Sequence, residues 1–79
     1  MENKQQVGAL HPNLLLLVTP QGLLIQLFTP IKGVVIEQSG TLQRGTTVWI
    51  EAIMQSKEHK IMYLVLGKWL PYFHINVIN

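Results

Sequence analysis

The chain predicts an all-β domain, a small barrel or roll of five to six short antiparallel strands with a hairpin added at its N-terminal end. Three observations carry this expectation. Glycine and proline fall singly between short apolar runs, which is the punctuation of hairpins. Residues 47–55 alternate, with Val48, Ile50, Ala52 and Met54 at the even positions, the period of a strand with one buried face. Finally, 48% of the 79 residues are apolar and only 13% charged, where about 25% charged is usual, so apolar side chains should spill onto the surface.

Taken in order, residues 1–12 read as a flexible N-terminal segment and residues 13–79 as a single small β-barrel domain. The first six residues are polar and lack the basic and apolar regions of a signal peptide. Residues 14–28 are strongly apolar, but Pro20, Gly22 and two glutamines interrupt a stretch shorter than the roughly 20 residues of a membrane span. Pro20 presets a turn and Gly22 accepts its left-handed position, which gives two strands joined by a tight hairpin. The alternative is a short helix over residues 12–18, capped by His11, Pro12 and Asn13, because leucine also forms helices well.

Thr29 and Pro30 break the second strand. The β-branched run from Gly33 to Gln38 predicts the next, and Ser39 with Gly40 turns the chain. Gly45 then leads into the alternating strand, whose even positions should face the core and whose Trp49 and Glu51 should face outward. Ser56, Lys57, Glu58 and His59 form a polar loop, and residues 60–66 return with apolar residues on both faces. Gly67 and Lys68 turn into Trp69 and Leu70, Pro71 leads a 3₁₀-like turn to His74, and residues 75–78 close as a short strand.

The pattern Leu42-x-x-Gly45-x-x-Val48-x-Ile50 resembles the diverging turn and second strand of SH3-like barrels. The sequel resembles them as well: a hairpin, a distal-type turn at Gly67 and Lys68, Trp69, a proline-led turn over Pro71, Tyr72 and Phe73, and a closing strand. The resemblance covers about residues 32–79 and is closest to prokaryotic SH3-like domains. It implies a docking, regulatory or cell-wall-binding unit. Recognition of proline-rich peptides is not carried over. The paired tyrosines of the first strand are absent, and Trp69 and Tyr72 stand three apart, which does not match the peptide-binding spacing.

Residue chemistry points away from an enzyme. Cysteine and aspartate are absent, the glycines are isolated, and Ser39 and Ser56 have no histidine at a motif spacing. Glu37 and Glu51 are the one carboxylate pair that neighbouring strands could present together for acid–base work. His11, His59 and His74 fit no zinc spacing, so neither a metal nor a cofactor is expected. The absence of cysteine suits a reducing, cytoplasmic setting.

The expected function is therefore non-enzymatic: a protein-interaction, regulatory or assembly module that docks on a larger protein or associates with itself. Trp49 is the leading contact, since tryptophan is enriched at binding hot spots. Val35, facing outward from the preceding strand, would join it in a stripe with Glu37, Arg44, Glu51 and Tyr63. Trp69 and Phe73 are expected to fill the core. The alternative is a small barrel that binds nucleic acid through Lys32, Arg44, Lys57, Lys60 and Lys68, with Trp49 or Tyr63 as stacking surfaces. The net charge of only +2 argues against it. Peripheral membrane attachment by residues 14–28 is weaker still, for want of a basic polar face.

Overall fold

The computed structural model describes residues 5–58 and 60–78. Met1 to Lys4, part of the segment expected to be flexible, and His59, expected in the solvated loop, lie outside the described residues. The protein is all-β. Its strands are β1 (Gln6–His11), β2 (Leu14–Val18), β3 (Leu24–Phe28), β4 (Ile31–Val35), β5 (Thr47–Ile50), β6 (Ala52–Gln55), β7 (Ile61–Val65), β8 (Lys68–Pro71) and β9 (Ile75–Val77), with a 3₁₀ turn at Tyr72–His74 before β9. They form three antiparallel sheets, ordered β1-β2-β3, β5-β4-β9 and β6-β7-β8. The short antiparallel strands are as expected in kind, with β4 to β9 numbering six and a third strand, β1, added to the N-terminal hairpin, but the described residues make three small sheets and no closed barrel.

The N-terminal region differs most from expectation. Residues 6–11 are not a flexible lead-in but strand β1, paired along β2 with an irregularity between Ala9 and His11. The side-chain amide of Gln5 also mimics a strand. Gln5 Oε1 accepts from the Val77 N–H at 2.9 Å, and Gln5 Nε2 donates to the Val77 carbonyl at 3.1 Å, closing part of the outer edge of β9. The Leu-rich run is strand β2, not a helix. Pro12 and Asn13 form its entry turn, where the Asn13 N–H donates to His11 Nδ1 at 3.1 Å. The Pro12 carbonyl accepts from the Ile53 N–H at 2.8 Å, tying this turn to β6.

Between β2 and β3 the expected turn forms. The Gly22 N–H reaches the Thr19 carbonyl at 2.8 Å, and Gly22 takes φ +84°, a value that strains any residue with a side chain. Inward-facing Leu15 and Leu17 lock this sheet to the remainder of the molecule in one core, to which β4 to β9 all contribute. Gly33 lets β9 close on β4, for a Cβ there would stand 2.5 Å from Ile75 Cγ2.

The strand expected over residues 47–55 is two strands. Glu51 interrupts it: the Glu51 N–H donates to the Leu64 carbonyl at 2.8 Å, while Ala52 also pairs with Leu64. The extra residue is a bulge, and it reverses which positions point inward. Val48 and Ile50 are core as expected, but beyond the bulge Ile53 is buried and Met54 exposed. The bent strand thereby belongs to two sheets, β5 pairing with β4 and β6 with β7.

Candidate functional site

Of the six residues expected to form a contact stripe, two are in the core. Val35 is 1% exposed and Tyr63 0%. Val35 was expected to face outward from the strand preceding Trp49. The strand starts at Ile31, and Ile31, Gly33 and Val35 all face in, leaving Lys32 and Val34 on the outer side. Moving a face assignment by one residue exchanges the two sides of a strand. Tyr63 lies in the middle of β7, with neighbours on both edges and the core beneath it.

The remaining four are exposed but dispersed. Trp49, 56% exposed, pairs with Lys32 in the middle of the β4–β5 ladder. Arg44 and Glu37 stand at the other end of β4, because the Gly45 N–H donates to the Val35 carbonyl and Glu37 lies two residues beyond the strand's last residue, Val35. Glu51 comes just after Ile50, which pairs with Ile31 at the start of β4. Antiparallel pairing therefore sets Glu37 and Glu51 at opposite ends, and the paired-carboxylate geometry considered from the sequence does not form. Glu37 instead approaches His74, with Oε2 3.4 Å from Nε2. Among the described residues no cluster of three or more His, Asp or Glu could hold a metal, and no helix is long and apolar enough to cross a membrane.

A surface the sequence reading passed over is better formed. In β6-β7-β8 the inward residues are Ile53, Ile61, Tyr63, Val65 and Leu70. The opposite face carries two cross-strand rows, Ala52–Leu64–Trp69 and Met54–Met62–Pro71. Every residue in both rows is apolar. Trp69 and Met54 are exposed, and the other four are half-buried beside them. Trp69 was expected in the core; it lies outside because Leu70 takes the inward position opposite Tyr63. Phe73 is likewise exposed, at the middle of an edge-to-face stack with Tyr72 at 5.6 Å and His74 at 5.0 Å. The one advance signal of this face was that residues 61–65 carry apolar side chains at every position, as a strand covered on both sides does.

This face can bind by exclusion of water, with tryptophan as a rigid anchor and two methionines as adaptable filling. It holds no group that could move a proton or serve as a nucleophile. Comparison with protein-family models, with curated proteins and with solved structures finds no match for the chain.

Proposed function

We propose that the chain is a non-enzymatic interaction module of SH3-like architecture, which docks on a larger protein through the outer face of β6-β7-β8. The architecture is supported by strand order over residues 31–77. The first strand of the unit, β4, is flanked by the last, β9, and by the first half of a bent strand. The second half of that strand opens a meander, and a 3₁₀ turn precedes the closing strand. This order is the one that the SH3-like resemblance implies. The step from architecture to docking rests on the surface itself, since one fold serves many functions.

The observation that carries the docking reading is the composition of the two rows. Six apolar side chains occupy one solvent-facing side of a sheet, whereas a one-sided antiparallel sheet usually alternates apolar-in with polar-out. A contiguous apolar patch of this kind marks an interface. The test is affinity purification from the native host with the wild type and with a Met54→Glu, Trp69→Ser variant. The wild type is expected to recover one polypeptide stoichiometrically, and the variant to lose it while melting within a few degrees of the wild type. Equal recovery by both excludes this face as the docking surface.

Nucleic-acid binding is the second reading, and one observation favours it: Trp49 and Lys32 are cross-strand partners on an exposed face. Burial of Tyr63 removes its other stacking surface. Binding of this kind weakens steeply with added salt, whereas apolar docking does not.

A further inference from the structure

We propose that β3 pairs edge to edge with β3 of a second copy, antiparallel and centred on Gln26, so that two β1-β2-β3 sheets become one continuous six-stranded sheet. The strand lies at the outer edge of its sheet. Two bonds fix which of its backbone groups are used. The Thr19 N–H donates to the Leu23 carbonyl at 2.8 Å, and the Thr29 N–H donates to the Asn13 carbonyl at 3.0 Å. Hydrogen-bonded positions recur every second residue in an antiparallel ladder, so Ile25 and Leu27 bond to β2. The N–H and C=O groups of Leu24, Gln26 and Phe28 consequently point away from β2, along the open edge.

Edges of this kind are normally guarded by a charge, a proline, a bulge or a covering segment. Other edges here follow that rule. Gln5 covers part of β9, the Pro12 carbonyl meets β6, and β8 ends on Pro71. Among the described residues the β3 edge has none of these. Its register with β2 is regular over all five residues. No Asp, Glu, Lys or Arg stands anywhere between Lys4 and Lys32. Leu24 and Phe28 are 64% and 68% exposed, on the same side of the sheet as Gln26.

The occupant follows from the strand's own symmetry. The sequence Leu24-Ile25-Gln26-Leu27-Phe28 reads apolar, apolar, amide, apolar, apolar in either direction. Reversed about Gln26, it sets Leu24 against Phe28 of the second copy, Ile25 against Leu27, and Gln26 against Gln26. The outward backbone groups then fall opposite one another as hydrogen-bonded pairs, and the apolar flanks pack across the seam. The contact is isologous and closes as a two-fold dimer. With no charged side chain on this sheet's strands, two copies meet without like-charge repulsion. A tenth of the 5279 Å² surface, the usual share per partner, is about 530 Å². Two patches of that size would sit near the roughly 1,000 Å² floor of specific interfaces. This surface is distinct from the β6-β7-β8 face.

The test is sedimentation equilibrium of the full chain from low micromolar to submillimolar concentration, for the wild type, Gln26→Lys and Gln26→Glu. Gln26 is exposed, and both substitutions keep the β2–β3 ladder; thermal melting at low concentration verifies the fold. The wild type is expected to pass from monomer to dimer. Each variant alone should weaken association at least tenfold, and an equimolar mixture of the two should restore it, because opposite charges then meet at the centre of the seam. Amide exchange should slow with concentration at Leu24, Gln26 and Phe28, not at Ile25 and Leu27. A wild type that stays monomeric throughout overturns the proposal and leaves the edge to a strand from another protein. A dimer equally stable in either variant overturns it too, by placing self-association on another face.

Discussion

Tyr63 is the residue whose chemistry is most at odds with its setting. It is fully buried, and its hydroxyl has no hydrogen-bond partner among the described residues. Burial pushes the phenol well above its ordinary value, and a Coulombic contribution from neighbouring Tyr72 adds to it. In the unfolded chain the same group loses its proton near pH 10. The unfolded state thus binds fewer protons than the native state once the pH passes that value, and stability falls as pH rises. Leaving a buried hydroxyl unpaired costs on the order of 1–3 kcal/mol, while a phenylalanine ring fills nearly the same space. Tyr63→Phe is therefore expected to hold or raise stability at neutral pH, by up to about 1 kcal/mol. Its urea midpoint should also decline less steeply than the wild type's above about pH 10. A neutral-pH loss of more than about 1 kcal/mol would show that the hydroxyl is in fact satisfied.

At the scale of single elements, the turn between β7 and β8 carries a correctable conflict. Leu66 and Gly67 take φ values of 51° and 77°, so both central residues of this two-residue hairpin are left-handed. That geometry matches the twist of the flanking strands and favours Asn-Gly. Leucine has no local hydrogen bond to offset its steric cost, roughly 1 kcal/mol, and it is solvent-exposed, so little burial is forfeited by replacing it. Leu66→Asn should raise the melting temperature by a few degrees, about 4–8 °C per kcal/mol for a domain of this size. An unchanged or lower melting temperature would mean that Leu66 is stabilised by packing. Turns were the most legible elements in the sequence because their chemistry is local: Gly22, Gly40, Gly45 and Gly67 all adopt positive φ. Strand faces were legible only as far as alternation ran unbroken. It held at Val48, Trp49 and Ile50 and failed beyond Glu51, since a bulge is set by the partner strand and leaves no mark in one sequence. β1 was missed because Val7, Gly8 and Ala9 make a weak strand signal and gain their place only by pairing with β2. The β6-β7-β8 face was missed for a related reason. Its two rows are assembled from three separate segments, and no segment alone marks which side is wet.

For the molecule as a whole, the question is whether the β1-β2-β3 sheet is an attachment or part of the folding unit. The sequence reads residues 14–28 as a hairpin extension within a single domain of residues 13–79, and the core ties that extension to the other two sheets. Leu15 is completely buried in the same cluster as Ile50, Tyr63 and Ile75, and Gln5 and Pro12 hydrogen-bond to β9 and β6. A chain of 79 residues has little core to divide. Truncating a fully buried leucine typically costs 2–5 kcal/mol, about the whole margin of a domain this small. Both tryptophans lie outside that sheet, Trp49 on β5 and Trp69 on β8, so their fluorescence reports on the other two. Leu15→Ala is expected to lower the denaturant midpoint of the tryptophan signal and of far-ultraviolet circular dichroism together, as one two-state transition. A tryptophan midpoint that stays at the wild-type value while circular dichroism shifts would show the N-terminal sheet to be a separate, weaker unit. Coincident shifts would mean that the sheet carrying the open β3 edge is held by the core of the whole molecule, and so is rigid enough to present that edge in register.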